Sequence, residues 1–154
     1  MKKINYRSAN TISGIIVSIF SFVVFSLTVE PTASYWDCAE YISTSAKLQV
    51  GHPPGAPLFQ MLGAIFSTFA FESDQIALSI NMMSVTSSAL TILFLFWSIS
   101  HLIKGFVSLK KNISIIEAIK IFGSSTLGSL TFTFTDSFWY NAVEAEVYLS
   151  LIHI

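Results

Sequence analysis

The chain is 154 residues long, 53% hydrophobic and 11% charged, with a net charge of −1 and a mean hydropathy of +0.66. Soluble domains carry about 25% charged residues, so this chain lacks the polar groups to cover a water-facing surface and reads as a membrane protein. The near-neutral balance, with no basic stretch interleaved with aromatics, excludes nucleic acid as a partner, and a single cysteine, Cys38, excludes an intrachain disulfide framework and a CxxC metal site.

A bilayer core about 30 Å thick needs roughly 20 apolar residues at a rise of about 1.5 Å each. Thr11–Val29 meets that demand without a charged residue. Its basic start invites reading as a cleaved signal peptide, but the apolar run is long and no small-x-small cleavage site precedes Glu30, so it reads as an uncleaved signal anchor. A loop follows, then a second apolar run, Pro57–Phe71, which as a helix would extend only about 22 Å. Ile76–Ile103 is again uncharged and long enough to tilt. Ile113–Thr135 forms a third span, with Glu117 and Lys120 near its start on one helix face, where they can pair or snorkel.

Loop charge arbitrates the awkward run. Lysine and arginine gather on the cytoplasmic side. With three spans, Lys2, Lys3, Arg7, Lys104, Lys110, Lys111 and Lys120 lie inside, and Lys47 lies outside among Glu30, Asp37, Glu40, Glu72 and Asp74. A fourth span would move Lys110 and Lys111 outside, so Pro57–Phe71 is expected in the plane of the outer interface or re-entering the membrane. The N-terminus is then cytoplasmic.

The last six residues, Leu149-Ser150-Leu151-Ile152-His153-Ile154, read as a translation of the transposon-end adaptor of sequencing libraries, CTG TCT CTT ATA CAC ATC. On that reading residues 1–148 are the N-terminal part of a longer membrane domain, and 149–154 are a non-native tail. A native helix beginning at Glu146 is the plainer alternative.

Chemistry points to the outer loop, Glu30–Pro57. Tyr35–Leu48 is compatible with a short helix ended by Gly51 and the prolines, placing Asp37 and Glu40 three apart on one face. Tyr35, Trp36 and Tyr41 suit the headgroup layer. Two carboxylates there can take a proton from a hydroxyl, bind a cation, or only face water. Asp37 also fits a capping box with Ser34, in which the acid at N3 bonds back to the N-cap amide. His52 before Pro53 and Pro54 reads first as a turn residue, and Cys38 as a small packing residue. Beyond the third span, Asp136, Glu144 and Glu146 return to the outer side, where acids also serve as plain solubilisers.

Trp36-Asp37-Cys38-Ala39-Glu40-Tyr41-Ile42, then Gly51-His52-Pro53-Pro54-Gly55-Ala56-Pro57-Leu58, resembles the start of the bacterial family known as domain-of-unknown-function family 2723. Asn81-Met82-Met83-Ser84 and Glu144-Ala145-Glu146-Val147-Tyr148 extend the likeness over essentially all of residues 10–148. Ala39 stands where many members carry glycine. That family is similar to the GT-C glycosyltransferases, in particular the protein O-mannosyltransferases, whose first outer loop carries an acid, then His-Pro-Pro and an interfacial helix. The resemblance implies an all-α, multi-span enzyme of the bacterial inner membrane. It would transfer a sugar, mannose above all, from a polyprenyl-phosphate donor to a protein or other hydroxyl acceptor with inversion.

Carried over, Asp37 is the base and Glu40 its catalytic neighbour. His52, Pro53 and Pro54 shape the pocket floor, Glu146 is a second-loop contributor, and Lys47 is the outer cation available to the donor phosphate. No cofactor is firmly implied, and a divalent metal held by Asp37 and Glu40 is left open, although the similar enzymes suggest none. The competing reading is a non-catalytic transporter or assembly subunit that uses the same loop for binding. A transporter would place ionisable or helix-breaking residues in mid-span, whereas here the polar interest lies at one membrane face.

Overall fold

A computed structural model describes residues 3–34, 37–53, 55–107 and 111–145. Tyr35, Trp36, Pro54, Lys110, Glu146, Tyr148 and the six-residue tail therefore lie outside the described residues. The described chain is helical, with six α-helices in the order α1 (Tyr6–Thr28), α2 (Cys38–Ala46), α3 (Pro57–Ser67), α4 (Ile76–Val107), α5 (Ile115–Thr133) and α6 (Asp136–Val143). A 3-10 turn, Ser73–Gln75, precedes α4. The only strand pairing among the described residues joins β1 (Ile4–Asn5) antiparallel to β2 (Asn112–Ile113), with Ile4 opposite Ile113.

Two of these helical segments are long and apolar enough to cross a bilayer, Tyr6–Thr28 and Ser73–Val107. Only 22% and 17% of their most apolar windows are buried, so they are not the core helices of a soluble domain. Ile12, Ile16, Ile19 and Leu27 of α1 and Phe94, Leu102 and Phe106 of α4 lie bare. In water such a surface would aggregate, and in lipid it is solvated. The protein is an all-α membrane protein.

The expected third span is less apolar than the other two. The 19 residues of α5 extend about 28 Å, but they are less apolar than the other two segments. The physical reason is in its C-terminal half, where Ser124, Ser125, Thr126, Ser129, Thr131 and Thr133 replace aliphatic residues. Three of these hydroxyls close on their own helix: Ser125 donates to the Ile121 carbonyl (2.7 Å), Ser129 to Ser125 (2.7 Å) and Thr133 to Ser129 (2.9 Å). The start of α5 is fixed by a capping box: Ser114 Oγ accepts from the Glu117 amide (3.3 Å), and the Glu117 carboxylate accepts from the Ser114 amide (2.7 Å).

The helices fall into two compact units, one made of Met1–Ser21 and Ala89–Thr135, the other of Phe22–Ser88 and Asp136–Ile154. In the first, Tyr6, Ile113, Ala118 and Ile121 form a buried cluster behind the β1–β2 pair. In the second, Cys38 and Ile42 of α2, Ala56, Phe59 of α3, Ile80 and Met83 of α4, and Ala145 make the core. Cys38 is fully buried in it and acts as a packing residue, as expected.

The second unit positions the outer loop. Pro57–Phe71 resolves into α3, whose 11 residues extend about 16 Å and cannot span a bilayer. One side, Phe59, Gln60 and Gly63, is buried; the other bares Leu58, Met61, Leu62 and Ile65. Gly63 allows close approach to α2, because a Cβ there would stand 2.7 Å from Ser45 Oγ. At the far end of the loop, Asn81 of α4 is fully buried and donates its amide to the carbonyls of Glu30 (2.6 Å) and Thr32 (2.9 Å).

Candidate functional site

The site grows from the N-terminus of α2. The helix begins at Cys38, and Asp37 is its N-cap without a side-chain capping bond. This corrects the capping-box reading, which needed Asp37 three residues inside the helix. Glu40 follows in the first turn. At the other end, Leu48 adopts a left-handed φ of 49°. Its amide bonds the Ser45 carbonyl (3.2 Å), and the Gln49 amide bonds Thr44 (2.8 Å). That is the Schellman arrangement, with leucine where glycine is favoured. The helix therefore stops before Gly51 and the prolines, earlier than expected, and the chain turns back along it.

The reversal delivers His52 onto Glu40. The His52 amide donates to Glu40 Oε1 (2.6 Å), and His52 Nδ1 lies 2.8 Å from Glu40 Oε2. Gly51 leaves room for this, since a Cβ there would stand 3.0 Å from Glu40 Oε1 and 3.1 Å from Gln60 Nε2. Gln60 of α3 is itself held by Thr44 (3.2 Å), and the Tyr41 ring stands between His52 and Phe59 at centroid distances of 6.4 and 5.4 Å. His52 Nε2 faces Asp37 Oδ2 at 3.9 Å. Among the described residues the Asp37 carboxylate accepts no hydrogen bond, and its side chain is 57% exposed.

Charge follows this geometry. The backbone N–H of His52, then its ring, holds the Glu40 carboxyl below the usual carboxylate range. The hydrogen bond to Glu40, followed by its charge and then that of Asp37, raises the His52 pKa. His52 is thereby favoured as an imidazolium between two carboxylates. Donor atoms of Asp37, Glu40 and His52 lie within 4.8 Å of one another, a spacing that could hold a metal ion.

Of the other residues expected at the site, Pro53 sits in the exposed turn after His52. Lys47 is exposed at the C-cap of α2, ten residues from Asp37 and at the opposite end of that helix. Sequence reasoning placed Asp37, Glu40 and His52 in one loop but missed the direct bond of Glu40 to His52. It also gave no role to Asn81, although a carboxamide in an otherwise apolar span was the available signal.

Residues 37–153 match the family described as protein O-mannosyl-transferase TMEM260 N-terminal domain. The chain belongs to that family. It is 26% identical over 140 residues to the protein O-mannosyl-transferase tmem260 of Dictyostelium discoideum, covering 90% of this chain and 15% of that protein. It is 32% identical over 88 residues to the TMEM260 of Mus musculus, covering 56% of this chain and 12% of the relative. The chain thus spans less than a sixth of the length of these TMEM260 relatives. No solved structure matches it. The O-mannosyltransferase kinship expected from the loop motifs is shown; the TMEM260 match starts at Asp37 itself and takes in Glu40 and His52.

Proposed function

We propose that this chain is the N-terminal part of a membrane glycosyltransferase that moves a sugar, mannose above all, from a polyprenyl-phosphate donor to a hydroxyl on a protein. The observation that carries the reading is the convergence of Asp37, Glu40 and His52 at one end of α2, with the Asp37 carboxylate free of hydrogen bonds among the described residues. The relatives are named protein O-mannosyl-transferases, which supports the sugar and the acceptor class. The bare apolar side of α3 suits a donor whose tail stays in the bilayer.

In this mechanism the acceptor oxygen attacks the anomeric carbon as the bond from that carbon to the donor phosphate breaks, and the configuration inverts. Asp37 accepts the hydroxyl proton, an effect worth about 10²–10⁴ in rate. The phosphate leaves with its electron pair and needs little acid assistance. Glu40 acts as a positioning residue that fixes His52, whose imidazolium adds positive charge beside the leaving phosphate. The α5 helix, with its hydroxyls bonded to its own backbone, serves as a third span. That leaves α2 and α3 on the outer face of a bacterial inner membrane and the N-terminus in the cytoplasm.

The test is transfer of radiolabelled mannose from polyprenyl-phosphate mannose to protein, using the full-length enzyme in membranes. Asp37→Asn at equal protein level is expected to lose at least about a hundredfold. Equal transfer by variant and wild type removes Asp37 from the chemistry. Absence of transfer by the wild type removes this donor.

A further inference from the structure

A groove of about 690 Å³ lies wholly within the first unit, between the N-terminal turns of α1 and the C-terminal half of α4. From α1 it takes Arg7 and Asn10; from α4 it takes Phe94, Trp97, His101 and Leu102. The α4 residues recur at positions i, i+3, i+7 and i+8, one face of a helix. Its floor is fixed: the Trp97 indole donates to the Asn10 carbonyl (3.3 Å), and Ser100 Oγ donates to Asn10 Oδ1 (2.6 Å). Phe94 and Leu102 are 54% and 64% exposed, so the walls are apolar and open to the bilayer.

We propose that this groove seats an anionic phospholipid, with its phosphate on Arg7 and His101 and its chain along Phe94, Trp97 and Leu102. Lipid must cover this face, because it belongs to the two most apolar helices. Charge decides which lipid. Seven of the eight lysines and arginines fall in this unit, against a single acid, Glu117, whose carboxylate is engaged by the Ser114 amide. Among the described residues no carboxylate pairs with Arg7. A zwitterionic headgroup brings its own cation to this basic end, whereas an anionic one brings only the charge that Arg7 lacks. The apolar wall selects a lipid over free phosphate. The site is independent of the transferase reading.

The full-length protein would be purified in mild detergent, exposed to equimolar phosphatidylglycerol and phosphatidylcholine, and weighed by native mass spectrometry. Wild type is expected to retain phosphatidylglycerol about fivefold better. Arg7→Gln should reduce that preference to within about twofold, Arg7→Lys should keep most of it, and Lys111→Gln, outside the groove, should leave it intact. Should Arg7→Gln fail to fold, Phe94→Ala at its exposed position should weaken retention of both lipids alike. Equal retention of the two lipids by wild type overturns the proposal, as does an unchanged preference in Arg7→Gln or unchanged retention in Phe94→Ala. Full displacement by millimolar inorganic phosphate would make it a free-anion site and overturn it too.

Discussion

His52 bonds Glu40 twice, once through its backbone amide and once through its ring. These two bonds separate the pKa values of the pair. Glu40 is lowered from 4.5, so its contribution is present above that value and lost as pH falls through the lower folded pKa. His52 is raised from 6.5, so its contribution is complete below that value and lost as pH rises through the higher folded pKa. The pair is therefore fully formed between these two ordinary values and weakens outside them. Replacing Glu40 with glutamine removes the first cause of the raised His52 pKa. In labelled protein the His52 ring resonances should then titrate at lower pH than in wild type, and an unchanged midpoint would deny the coupling. Little of this was legible beforehand. The helical spacing of Asp37 and Glu40 predicts a shared face, but the return of His52 depends on the left-handed turn at Leu48, and a leucine there gives no signal of a turn.

At the scale of elements, the seam between α2 and α3 rests on Gly63. A methyl group at that position would lie 2.7 Å from Ser45 Oγ and 2.8 Å from Ser45 Cβ, and a side chain as short as serine has no room to yield. Gly63→Ala should therefore push α3 off α2 and lower stability by about 1–3 kcal/mol in a thermal unfolding assay. Adding Ser45→Gly should recover most of the loss, and a double variant no better than the single one would exclude this contact as the cause. The turn between these helices carries its own expectation. Leu48 holds a conformation that costs an L-residue about 1–2 kcal/mol, so Leu48→Gly should raise the midpoint or leave it level, and a large fall would mean that its exposed side chain has a packing role. Elements were more legible than contacts. The shortness of Pro57–Phe71 against the bilayer, together with loop charge, was sufficient to anticipate α3 as a helix too short to span. The same reading counted length and scarcity of charge in α5 but not its run of hydroxyls, which makes it less apolar than α1 and α4.

For the whole molecule the decisive quantity is charge. Eight of the nine acids lie in the second unit and seven of the eight lysines and arginines in the first. Positive charge resists translocation, and the topology proposed above rests on that asymmetry. Single cysteines at Ser43 in α2 and at Asn112 in β2, both exposed, should react with a membrane-impermeant maleimide from opposite sides of sealed vesicles. Cys38 is fully buried and should give little background. Labelling of both sites from one side would remove an odd number of spans between them. This asymmetry was already plain in the sequence, because lysines can be counted without knowing a single contact.

The two-residue ladder of Ile4–Asn5 with Asn112–Ile113 has a consequence in time. Each half is useless until the other exists, and a ribosome adding about 5–20 residues per second needs roughly 5–20 s to travel from one to the other. During that interval α1 and α4 are made and inserted while the extreme N-terminus waits without its partner. The ladder can close only after the second long helix has emerged, so it reports that α1 and α4 have both been made. A nascent chain stalled before Asn112 reaches the exit should leave Ile4 open to protease, and one stalled well beyond it should not.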